Sequence, residues 1–195
     1  MTTKVRFYSS LLLLPLVAGC ASPKLSGVGA AMQAAVDARE ISGAVTVVVT
    51  KNKVIHLECT GLADMAAKKP MQPDALFCIA SMTKPITTVQ TGDLPTGFFQ
   101  SAQYGRYGGN YGWGIGTCIL RAPHPGVAAM LSPGTFGHGG AWGTQAWMDP
   151  VRGVAYILMV QRSNFGNSDA TSVRRAFQQA AVEALAQKAL TPAAQ

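Results

Sequence analysis

Acidic side chains are scarce in this chain. Its 195 residues include 9 Asp and Glu against 16 Lys and Arg, and only 13% of residues are charged. That is about half the usual share for a globular protein. With 48% hydrophobic residues, the composition excludes a disordered chain. Collagen-like and heptad patterns are missing, as is any internal repeat. No apolar run approaches the roughly 18 residues of a membrane span, which excludes a polytopic membrane protein. Histidine is also rare, at 3 residues, and none stands at metal-ligand spacing with a cysteine. Nucleotide and flavin signals are absent, so no metal or cofactor is expected. The deficit of acid leaves a net charge of +7 and a pI near 9.5. The basic residues are scattered, however, and cluster no more tightly than Lys51 with Lys53, Lys68 with Lys69, and Arg174 with Arg175. No basic stripe is interleaved with aromatics, so nucleic acid is not the expected partner.

Lys4 and Arg6 precede a short apolar core from Leu11 to Val17, and Ala18, Gly19 and Cys20 follow at once. The pattern predicts a secretory signal over residues 1–19, too short to remain as a spanning helix. Val17-Ala18-Gly19-Cys20 resembles a bacterial lipobox, which implies lipidation of Cys20 and a membrane anchor. Residues 20–25 are then a lipidated linker. Neutral Ala21 and Ser22 point, by the same resemblance, to the outer membrane or periplasm-facing cell envelope. Ordinary signal cleavage is the alternative. Removing Lys4 and Arg6 lowers the net charge from +7 to +5. Cys59, Cys78 and Cys118 remain. Their odd number leaves at least one thiol free or paired between chains. Cys59 and Cys78 could join, but sequence cannot place their Cα atoms. No oligomeric state can be read from the sequence.

One domain is expected over residues 26–190. Ser26 is a candidate cap for a helix from Gly27 to Arg39, with Val28, Ala31, Met32, Ala35 and Val36 on one stripe. Ala44 to Thr50 is β-branched and predicts a strand, Lys51-Asn52-Lys53 a turn, and Val54 to Thr60 the returning strand. Gly61 to Asp74 reads as polar loop. A short helix is expected near Ser81, and a glycine-rich loop from Gly92 to Gly109. Tyr111 to Leu120, the Thr135-Phe136 region, Gly143 to Met148, and Val154 to Gln161 are further strands. Asp149 to Gly153 is a turn. Ser168 is the expected cap of a final helix to about Leu190, with Val173, Phe177, Ala181, Ala184 and Leu185 inward. The order predicts an α+β fold, an antiparallel sheet with its N- and C-terminal helices on one face.

Ser81-Met82-Thr83-Lys84 is a Ser-x-x-Lys. At helical spacing the two side chains share a face, so the Lys84 amine can reach the Ser81 hydroxyl. A desolvated lysine gives up its proton more readily and can serve as a general base. The Ser81 amide, at a helix start, can face a developing oxyanion. Alone, the motif is equally met by a capping serine and a solvated lysine.

The wider segment Phe77-Cys78-Ile79-Ala80-Ser81-Met82-Thr83-Lys84-Pro85-Ile86-Thr87 resembles the nucleophile segment of the serine β-lactamase and penicillin-binding-protein superfamily. It is most similar to the class C-like branch that includes family VIII esterases. A second stretch, Gly134 to Pro150, resembles the strand where other members carry Lys-Thr-Gly. His138, Gly139 and Gly140 stand at that place. The resemblance implies a β-lactamase-like sheet and a Ser81 acyl-enzyme, with Lys84 as base. It implies the Ala141 amide as second oxyanion donor, and His138 beside a substrate carboxylate or polar group. The substrate class would be an ester, a β-lactam or a D-peptide, small or peptidoglycan-like.

One motif of that superfamily is missing. No Tyr-x-Asn or Ser-x-Asn occurs anywhere, and Tyr107-Gly108-Gly109-Asn110 has one residue too many. Ser81 and His138 stand only 57 positions apart. The superfamily's central helical domain has no counterpart between them. The abrupt change at residues 90–92 resembles the seam of an internal deletion. Three functions follow: a lipid-anchored serine hydrolase, an inactive truncated relative kept at most as an envelope binding lipoprotein, or a basic protein binding anionic envelope polymers.

Overall fold

The computed structural model describes residues 24–83, 111–113, 117–122, 129–165 and 171–190. β-Branched residues dominate β1 (Gly43–Thr50) and favour its extended form. It lies near the middle of an antiparallel sheet, beside β2 (Val54–Asp64) and β8 (Val154–Met159). Beyond β2 lies the two-residue β3 (Lys69–Pro70). On the other side run β7 (Gln145–Asp149), β6 (Phe136–Gly139), β5 (Cys118–Leu120) and β4 (Tyr111–Trp113). The full order is β3-β2-β1-β8-β7-β6-β5-β4. The expected α+β architecture is therefore present.

Register assigns the side chains to faces. Val48, Tyr156 and Trp147 are neighbours across three strands, and all point to one side. Helices α1 (Val28–Asp37) and α2 (Ser172–Leu190) cover that side and pack on each other. Val28, Met32 and Ala35 of α1 meet Val173, Phe177, Ala181 and Ala184 of α2 in one core with Val48, Leu158 and Trp147. Phe177 stands edge-on to Tyr156, with ring centroids 6.5 Å apart. Burial carries the Tyr156 phenol to a pKa of about 12, opposed by Arg152 and helped slightly by Asp149. Arg174 is buried as well, its guanidinium 4.0 Å from the Trp147 ring and its Nε donating to Gln178 Oε1. In the sequence Arg174 is one of two adjacent basic residues; the structure makes it part of the core, paired with an aromatic face.

Several boundaries differ from expectation. Ser26 does not cap α1, because Gly27 occupies the cap position in a left-handed conformation. Thr171 caps α2, accepting the Arg174 amide at 3.2 Å, whereas Ser168 lies outside the described residues. The segment from Gly61 is not all loop. Gly61, at φ 74°, lets β2 run on to Asp64, and Met71 N–H returns to the Gly61 carbonyl. Tyr111 to Leu120 is not one strand, because β4 and β5 pair antiparallel and the chain reverses between them. The glycine-rich stretch and the 90–92 seam lie outside the described residues.

Two polar clusters brace the sheet, one at the β7–β8 turn and one on β2. Asp149 is buried at the β7–β8 turn and accepts the amides of Ser132, Val151 and Arg152. Arg152 also binds it through the guanidinium at 2.6 Å. Burial alone would raise the Asp149 pKa, but the hydrogen bonds from Arg152 and Ser132 outweigh it and lower the value. At the N-terminal side, buried His56 accepts the Leu25 amide on Nδ1 at 3.0 Å. Its Nε2 therefore carries the proton and meets Thr46 Oγ1 at 2.8 Å. Lys24 pairs with Glu58 beside it at 2.9 Å. The three remaining cysteines are free thiols. Burial, helped by Glu58, raises the Cys59 pKa.

Two outcomes follow from this packing. Phe177→Ala should lower unfolding stability by about 3–5 kcal/mol, measured by urea denaturation; a loss under about 1 kcal/mol would contradict the core assignment. The second concerns acid. Burial lowers the His56 pKa below 6.5, reinforced by Lys24 and opposed by Glu58. In that window the unfolded chain binds the proton more readily, so stability is full above pH 6.5 and declines as pH falls through the folded-state value. His56→Asn keeps an acceptor for Leu25 without titrating. It should flatten that part of the profile, and an unchanged slope would refute the assignment.

Candidate active site

After β3 the chain crosses the ends of the strands rather than joining the sheet. Cys78 N–H is held by Gln161 Oε1, just past the end of β8, at 3.0 Å. Ile79 reaches the β6–β7 connection, where its carbonyl accepts Thr144 Oγ1 at 3.4 Å and Met82 N–H at 2.9 Å. Ala80 then takes a φ of 43°, which an L-residue adopts at a cost of about 1–2 kcal/mol. That bend opens the single 3-10 turn Ala80–Thr83, which contains the half-buried Ser81. Lys84 lies outside the described residues, as does Cys20.

His138 and Gly139 end β6, Gly140 follows it, and all three are buried. β5 pairs with β6 only at Phe136 and Gly137, so its ladder stops before His138. His138 pairs with Ala146, and its Nδ1 meets the Gly139 carbonyl at 2.5 Å. A carbonyl only accepts, so that nitrogen carries the proton. With 4% of its surface exposed, the imidazole is set into the sheet. Gly140 is where the two segments touch. A Cβ there would land on the Ile79 carbonyl oxygen and on Thr144 Oγ1, so only glycine permits this approach. Ala141 and Trp142 follow in an exposed turn closed by Gly143 N–H to Gly140 O at 3.0 Å and Gly140 N–H to Thr144 O at 2.7 Å.

The structure thus brings Ile79, two residues before Ser81, against Gly140 and Thr144, beside the turn that holds Ala141. The sequence did not reveal what holds them. Gln161 and Thr144 have no local signature, and Gln161 acts across 83 positions. Two hollows flank the crossing segment. One of about 130 Å³ is lined by Ser42, Met71, Phe77 and Gln161, and one of about 440 Å³ by Val36, Ile41, Leu62, Met65, Gln161 and Arg162. Among the described residues, no group of three or more His, Cys, Asp or Glu could hold a metal ion.

Residues 28–94 match the family described as Beta-lactamase. Over 70 residues the chain is 46% identical to Protein Rv1367c of Mycobacterium tuberculosis, covering 36% of this chain and 18% of that protein. Over 51 residues it is 41% identical to Esterase EstB of Burkholderia gladioli, covering 26% of this chain and 13% of the esterase. The matches thus span less than a fifth of these relatives' length. Among solved structures, EstCE1, a hydrolase with promiscuous acyltransferase activity, superimposes with a TM-score of 0.59. That overlap covers 80% of this chain and 97% of the other, at 11% identity, and shows a shared fold. The N-terminal part of the chain is thus similar in sequence to the Beta-lactamase family and to an esterase, and the chain as a whole shares its fold with EstCE1.

Proposed function

We propose that the protein is a serine hydrolase that forms an acyl-enzyme at Ser81 with an ester, β-lactam or D-peptide. The observation that carries this reading is the contact of Gly140 with Ile79. It sets the turn bearing Ala141 beside the turn bearing Ser81, the two amides that the family resemblance assigns to the oxyanion. In the proposal Lys84 takes the proton from Ser81 Oγ as that oxygen attacks the carbonyl. The amides of Ser81 and Ala141 then stabilise the tetrahedral oxyanion, a donor arrangement in which removing one donor costs about 10²–10³ in rate. His138 is assigned to a polar group of the substrate. A neutral imidazole neutralises a carboxylate less well than the lysine of Lys-Thr-Gly, which favours esters over penicillins. The pattern of residues 1–20 supports a lipid anchor in the cell envelope. Among the described residues, no helix is long and apolar enough to cross a membrane.

A second reading has its own support. The absent Tyr-x-Asn leaves no evident group to protonate the leaving group or activate the deacylating water. An inactive truncated relative, at most an envelope binding lipoprotein, would have the same fold.

Intact-mass spectrometry after treatment with a fluorophosphonate separates the two. The hydrolase reading expects one adduct at Ser81, absent in Ser81→Ala and slowed roughly 10²-fold or more in Lys84→Ala. No adduct on a folded sample would leave the second reading. Gly140→Ala should also slow labelling and should destabilise the fold by about 1–3 kcal/mol, because the Ile79 carbonyl must move. A variant with wild-type stability and labelling would remove Gly140 from the argument.

A further inference from the structure

Gln161 and Arg162 are consecutive, and between them they touch the segment leading to Ser81 and the turn that follows Ala141. Gln161 Oε1 accepts the Cys78 amide, three residues before Ser81. Arg162 N–H donates to the Trp142 carbonyl at 2.9 Å, one residue after Ala141. The Arg162 guanidinium reaches back to the Glu40 carbonyl beyond α1 and lies 5.0 Å from the centre of the Phe165 ring. Phe165 in turn packs where a side chain on Gly143 would go, in the same turn as Trp142. The dipeptide thus ties the nucleophile segment and the oxyanion turn to the helix layer from a single point of the chain. Neither contact is needed to bury the core. Gln161 is exposed, and so is Cys78.

We propose that Gln161 is a positioning residue, which with the Arg162 amide fixes the Ser81 turn relative to the Ala141 turn. This rests on the hydrolase reading above and adds to it what sets the spacing of the two oxyanion donors. The physical case is how the chain enters Ser81. Among the described residues, Ser81 stands in a 3-10 turn entered through Ala80 at positive φ. The segment leading into that turn is held by Cys78 with Gln161 and by Ile79 with Thr144 and Gly140. Thr144 and Gly140 both act at Ile79, whereas Gln161 acts at Cys78 and adds a second point of attachment. Displacement of a reacting group by about 1 Å costs on the order of 10²-fold in rate. Because the Cys78 amide is exposed, water can replace the lost bond. Removing the carboxamide should therefore loosen the segment without unfolding the sheet.

The test uses the full mature chain with Gln161→Ala and Gln161→Glu, the second keeping an oxygen acceptor. Two readouts are taken: the rate of fluorophosphonate labelling at Ser81, and hydrogen exchange in a peptide spanning residues 76–82. Gln161→Ala should speed exchange in that peptide and slow labelling at least roughly 10-fold, with an unfolding midpoint close to wild type. Gln161→Glu should restore both. Should the wild-type protein never label while exchange still responds to Ala and recovers with Glu, the tie stands and the hydrolase reading falls. Unchanged exchange, or labelling at the wild-type rate in Gln161→Ala, overturns the positioning role.

Discussion

The candidate site hangs on one approach of two backbones, Gly140 against Ile79. A side chain at Gly140 would hold the strand off the crossing segment, and the Ser81 turn would lose its neighbour. The constraint explains the local sequence. The residue after β6 must be glycine, and the turn must be tight enough for Gly140 and Thr144 to pair. Thr144 then does double duty: its carbonyl closes that turn while its hydroxyl reaches Ile79. Short polar side chains and glycines are used here because the site is made of main chain.

The sheet divides stability from chemistry. Its helix-covered face carries Trp147, Tyr156, Leu158 and Val48, all buried with α1 and α2. Paired residues on the opposite face, among them Val47, Leu57, Ile157, Ala146 and Met148, are apolar but only half-buried. His138 belongs to that second face by its pairing with Ala146. Both described α-helices lie on the first face, so the core that holds the sheet is built without any contribution from a central helical domain. Burial of about 25 cal/mol per Å² accrues where the helices are, whatever happens at the other face.

Much of this was legible in the sequence, for local reasons. The stripe in α1, the β-branched run in β1 and the inward set of α2 are periodic signals that need no tertiary information. Ser81 and the His138–Gly140 run were legible as motifs. Other features depended on partners far along the chain. The extension of β2 past Gly61 needs Ser42 and Gly43 to pair with it. Arg174 looks like surface charge until Trp147, 27 positions earlier, is placed under it. Thr171 outcompetes the expected cap because its hydroxyl lies at the actual start of α2. Gln161 carries no pattern at all; only the fold brings it to Cys78.

The separation of the two faces bears on how activity should be judged. In a protein whose core encloses its site, a folded state is partial evidence that the site is assembled. Here the helix face can be intact while the other face lacks the groups that move protons. Acylation needs a nucleophile, a base and two amides, and the described contacts bring together the segments that bear Ser81, Ala141 and their supports. Deacylation needs one more proton acceptor aimed at water, and no Tyr-x-Asn or Ser-x-Asn supplies it. A chain with the first set and without the second would trap the acyl group rather than turn it over. Stoichiometric labelling and catalytic turnover are thus separate questions for this fold, and the proton inventory, more than the packing, decides between them.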